Sequence, residues 1–219
     1  MKNILLILFL FTSVAGFAQI GERNQAMSQG THNALYVEFS ETTDKLVNKV
    51  WEDFIKDNYN AKSKWNRKDD EWFTDEADIP ALGLGKTVDL YAQAKEKNGE
   101  VTFYLWVDLG GTYLTRMENP ERFTEAEKIL RRFIAVVEKE TIRQELAAEQ
   151  KKLEDLESDL KKLKSANERY NKDIEKAKEA ISKAEASIVK NQEDQEKTQQ
   201  QIEDQKKAVD EVNQRLKGN

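Results

Sequence analysis

Along the last third of the chain, apolar residues return at alternating steps of four and three. One register runs through Leu146, Leu153, Leu160, Ile174, Ile181, Ile188, Ile202, Val209 and Leu216. Its companion runs through Ile142, Leu156, Leu163, Tyr170, Ala177, Ala184 and Val212. This is the a/d spacing of a coiled-coil seam, kept in phase for roughly ten heptads. Neither proline nor glycine occurs between Pro120 and Gly218. The pattern therefore predicts one continuous helix from about Phe123 to Lys217, with residues 138–217 as the coiled-coil segment; the alternative is a helical hairpin bent at the polar stretch Ser165 to Asn171. Asn167, Asn191, Gln195, Thr198 and Gln205 interrupt the seam and can set register or oligomer state.

The pattern before this helix is different. Leu35, Val37 and Phe39 alternate with Tyr36 and Glu38, which predicts a strand with one buried face. Ser40, Thr42 and Thr43 are candidate N-caps for a helix whose apolar face carries Leu46, Val47, Val50, Trp51, Phe54 and Ile55. Asn58 and Asn60 mark its end. Trp65, Trp72 and Phe73 flank the polar turn Lys68-Asp69-Asp70, which predicts a hairpin. Val88, Leu90, Ala92 and Ala94 define another strand. Asn98-Gly99 then supplies a hairpin turn, because both residues tolerate positive φ. The return strand carries Val101, Phe103, Leu105 and Val107 on one face, and Tyr113 to Arg116 are expected to continue the sheet.

The long helix opens with Ile129, Leu130, Phe133, Ile134 and Val137, a stripe wider than a heptad seam, so this part is expected to pack on the sheet. The whole predicts an α+β fold: a small antiparallel sheet with two packed helices over 34–137, followed by the coiled-coil helix. Residues 19–33 are polar and without periodicity, and read as a flexible lead-in.

The N-terminus changes the expected compartment. Met1 and Lys2 precede an apolar run from Ile4 to Phe11, and Gly16-Phe17-Ala18 offers small residues at the two positions a signal peptidase reads. Residues 1–18 thus read as a secretory signal, cut after Ala18. The apolar run is about half of what spans a bilayer. The expected product is exported, to the periplasm first and to the surface or medium as the alternative, with no stable membrane insertion after cleavage.

Composition excludes several kinds of chemistry. The chain has 219 residues, no cysteine and a single histidine, His32, so thiol catalysis, disulfides and multi-histidine metal sites are not expected. The net charge of −6 gives no basic surface for nucleic acid. Gly83-Leu84-Gly85-Lys86-Thr87 ends like a phosphate-binding loop, but Pro80 stands where the first glycine is required and a strand is expected to follow. The acidic run Asp69, Asp70, Glu71, Asp75, Glu76, Asp78 lacks the pattern of a calcium loop and reads as solvated charge at a hairpin edge. No catalytic, cofactor or metal motif emerges, and the protein is expected not to be an enzyme.

Two surfaces are left as candidates. The first is the helical seam, with a second copy as its partner. In a parallel dimer Lys152 of one copy faces Glu157 of the other, Asp159 faces Lys164 and Asp173 faces Lys178, and no remaining g–e pair is like-charged. Alanines at positions 166, 180 and 208 widen the seam and leave trimers open. The second is an aromatic surface of Trp65, Trp72, Tyr104 and Trp106, placed opposite or beside the apolar strand faces, for an envelope protein or a cell-wall glycan. The expected role is that of an exported structural module that oligomerises through the helix and displays the sheet domain. The alternatives are a periplasmic holdase chaperone with a coiled-coil arm, and a ligand-binding head on a helical spacer.

Overall fold

In the computed structural model of the chain, the described residues are 19–217. The signal peptide expected over 1–18 lies outside them. The elements follow the order β1 (Gly21–Met27), β2 (Gly30–Phe39), α1 (Asp44–Tyr59), β3 (Ser63–Asn66), β4 (Glu71–Ala77), α2 (Pro80–Gly83), β5 (Val88–Lys97), β6 (Glu100–Asp108) and α3 (Pro120–Lys217). The six strands form one antiparallel sheet in the order β1-β2-β6-β5-β4-β3. The architecture is α+β. Two compact units divide the chain after Glu149.

Local chemistry explains the element ends. The Thr43 side chain accepts a hydrogen bond from Leu46 N at 3.2 Å and caps α1, and Asn60 closes it in the left-handed region at φ 52°. Asn98 and Gly99 turn β5 into β6 with φ 57° and 82°. Pro120 occupies the first helical position of α3, where a missing N–H costs nothing. The helix thus starts three residues earlier than its apolar pattern does.

One face of the sheet is covered by α1 and by the first turns of α3. Leu35, Val37, Leu90, Ala92, Val101, Phe103, Leu105 and Val107 project to this side and are buried. They meet Val47, Trp51 and Phe54 from α1, and Phe123, Ile129, Leu130, Phe133 and Val137 from α3. An aromatic knot lies at the centre: the Phe133 ring is 4.6 Å from Phe103, 5.2 Å edge-on to Trp51 and 5.6 Å from Phe54.

Two expectations are corrected. Residues 19–33 are not a flexible lead-in, because Gly21–Met27 form edge strand β1, paired with β2 from Gly21 opposite Tyr36 to Met27 opposite Gly30. The polar residues that hid this strand hold it by stacking and hydrogen bonds. Its start also needs glycine, since a Cβ on Gly21 would lie 2.4 Å from the Tyr36 ring. The segment Tyr113 to Arg116 does not extend the sheet as a strand: Tyr113 makes a single bridge to Asp108, and Leu114 N bonds the Val107 carbonyl. Between β4 and β5 the chain makes a short helix, α2, ending at Gly83.

From Gln150 onward the second unit is helix alone, and α3 runs without a break through residues 165–171.

Candidate functional site

The second face of the sheet carries aromatic and polar side chains. Strand alternation sends Tyr36, Glu71, Phe73, Tyr91, Gln93, Tyr104 and Trp106 to this side. Ala34, Tyr91, Tyr104 and Trp106 form a small buried cluster, with Met27, Tyr36, Phe73 and Tyr113 packed against it.

The β1–β2 hairpin folds across this face. Trp106 Nε1 donates to the Gln25 carbonyl at 3.3 Å. The Arg23 guanidinium lies 4.3 Å from the Tyr36 ring centroid and donates to the Tyr104 hydroxyl. At the hairpin tip, Ser28 Oγ donates to Glu71 Oε1 at 2.6 Å and Ser28 N to Oε2 at 3.3 Å. Asn33 Nδ2 donates to Glu22 and to the Leu114 carbonyl, fastening the segment after β6. His32 stacks on Tyr113 at 3.9 Å, and its Nε2 lies 3.0 Å from the Gln29 carbonyl oxygen.

The four aromatics grouped by the sequence are not one surface. Trp106 is 0% exposed and Tyr104 is buried, because the hairpin covers them. Trp72 turns to the helix side and packs against the main core. Trp65, on edge strand β3, is 36% exposed and its ring lies 5.0 Å from Trp72.

The acidic run is also divided. Asp69 and Asp70 lie in the β3–β4 turn, where both carbonyls accept from Gln93 Nε2 at 2.9 Å. Asp75, Glu76 and Asp78 are exposed. Glu71 is only 1% exposed. Unlike the rest of the run it is not solvated charge: its carboxylate points under the hairpin tip. Burial raises its pKa above the ordinary 4.5, partly offset by the Ser28 hydrogen bonds. Burial likewise pushes the Tyr113 hydroxyl up to about 12. Among the described residues, no group of three or more acidic, histidine or cysteine side chains is placed to hold a metal ion.

A cleft of about 270 Å³ opens between the hairpin tip and β3–β4, lined by Ser28, Trp65, Asn66, Glu71, Phe73 and Tyr91 among others. Sequence alone could not assemble it, since Ser28 and Glu71, which meet there, are forty-three residues apart.

On α3 the heptad residues all face solvent. Their exposure runs from 44% at Ile202 to 78% at Leu216, with Ile142, Leu146, Leu153, Leu156, Leu160, Leu163, Tyr170, Ile174, Ile181, Ile188, Val209 and Val212 between. Around them are ion pairs three residues apart, Asp159–Lys162 at 2.9 Å and Glu175–Lys178 at 2.8 Å. No helix among the described residues is long and apolar enough to cross a membrane.

No family model, curated protein or solved structure matches the chain.

Proposed function

We propose that this chain is an exported, non-enzymatic envelope protein that pairs with a second copy through α3 and presents the sheet unit as a binding module. The observation that carries this reading is the exposed stripe on α3. An apolar row of this length loses free energy in water at roughly 25 cal/mol for each Å² left uncovered. A second identical helix covers it in register, knob into hole.

Charge supports a parallel arrangement. Lys152 against Glu157, Asp159 against Lys164 and Asp173 against Lys178 are complementary across a parallel seam. Each exposed pair contributes little, so they select orientation while the apolar residues supply affinity. Asp159 and Lys178 exchange or share their partners within the helix when they do so. Export rests on the N-terminal pattern of residues 1–18, and the periplasm is the destination it suggests.

The absence of cysteine makes a clean test available. A Val209→Cys variant places one thiol at an a position near the end of the seam. Mild oxidation is expected to give a disulfide-linked dimer in high yield, because identical a positions adjoin only in a parallel pair. Failure to crosslink in a folded variant overturns the arrangement. A holdase would use the same stripe on a single chain, and would delay the aggregation of an unfolded membrane protein without crosslinking.

A further inference from the structure

The cleft beneath the β1–β2 hairpin tip has a composition that the assembly role does not use. Its polar centre is Glu71, a carboxylate withdrawn from water with no ion-pair partner among the described residues. Ser28 supplies two hydrogen bonds, whereas a carboxylate offers about four acceptor positions. Beside it, on the same sheet face, stand the rings of Phe73 and Tyr91, only 4.8 Å apart. Such rings present electron-rich faces, which attract cations and not anions.

The wider surroundings carry the same sign. Residues 19–120 hold 12 Lys and Arg against 18 Asp and Glu. Asp69 acts on Glu71 through space, and Lys95 only partly offsets it. Lys64 stands at the cleft wall without pairing with Glu71. At about 270 Å³ the space falls just under the range that takes drug-sized ligands.

We propose that this cleft binds an alkylammonium group, a primary amine on a short aliphatic chain. The nitrogen sits on the Glu71 carboxylate and the chain lies against Phe73 and Tyr91. A phosphate or carboxylate ligand would meet repulsion at the same place. A neutral sugar or alcohol would find the rings but would gain nothing from a buried charge. Burial of Glu71 disfavours its ionised form, and an arriving cation restores it, so binding strengthens as Glu71 loses its proton.

Calorimetric titration of the full chain with n-butylammonium, butan-1-ol and butyrate tests this directly. Saturable binding is expected for the ammonium alone. Glu71→Gln, which keeps the shape and an acceptor for Ser28, is expected to weaken it by about tenfold or more. Phe73→Leu, at a half-buried position on the cleft wall, should weaken it severalfold and serves if Glu71→Gln does not fold. No saturable heat with n-butylammonium, equal binding of butan-1-ol, or undiminished binding by the folded variants would overturn the proposal.

Discussion

Phe133 and Leu153 lie on the same helix, twenty residues apart, and face opposite circumstances. Phe133 is fully buried among Trp51, Phe54 and Phe103, whereas Leu153 is more than half exposed. The difference lies in the width of the apolar stripe. Phe123, Ala126, Ile129, Leu130, Phe133, Ile134 and Val137 make a broad band that matches a sheet face. From Ile142 onward the stripe narrows to two positions in seven, which suits another helix. The sheet unit satisfies its apolar residues within one chain. The helical unit leaves its own uncovered, and on our reading a second copy completes it.

Substitutions in the two regions should therefore fail in different ways. Phe133→Ala removes the ring at the centre of the aromatic knot, and should cost about 3–5 kcal/mol of stability in the sheet unit. Near-UV circular dichroism would show loss of tertiary packing while much of the helical signal from α3 persists in the dimer. Loss of both signals together would mean that the two regions do not stand on separate interactions.

A smaller effect separates burial from charge within the sheet unit. The folded pKa of Glu71 lies above its ordinary 4.5, so the folded state holds this proton more tightly than the unfolded chain. Its stabilising contribution is complete below about 4.5 and is lost as pH rises through the raised value. Glu71→Gln removes that dependence. The melting temperature of the variant should gain on the parent by a few degrees between acid and neutral pH. Parallel melting curves across that interval would contradict the buried-carboxylate account. A variant that is more stable at neutral pH yet binds ammonium worse would show that the charge is kept for the ligand.

The smallest effect concerns orientation. Lys164→Glu sets like charges against Asp159 across a parallel seam and should weaken the dimer by a few tenths of a kcal/mol per pair, more at low salt. Adding Asp159→Lys should restore it. An unchanged affinity in both variants would argue for a different register.

Periodicity made much of this molecule legible. The β2, β5 and β6 faces, α1 with its Thr43 cap, and the Asn98-Gly99 turn follow from local rules, and each appears where its residues place it. Strand β1 was hidden because Arg23 and Gln25 cover the second face by stacking on tyrosines and accepting from Trp106, which leaves no apolar alternation to read. For the same reason Trp106 looked exposed: its parity set it opposite the apolar residues, and nothing local announced the hairpin above it. Glu71 was indistinguishable from its acidic neighbours, since its burial depends on Ser28, forty-three residues away. A signal was present in the run of aromatics on that face, Tyr36, Phe73, Tyr91, Tyr104 and Trp106, which is too rich to leave open to water.

Sedimentation equilibrium of the purified chain at micromolar concentration bears most directly on the exposed stripe of α3. The expected mass is twice that of the chain, falling to a single chain in a Leu160→Lys, Ile174→Lys variant whose sheet unit keeps its near-UV spectrum. A parent protein that sediments as a single chain, with the same mass as the variant, would contradict pairing through this stripe.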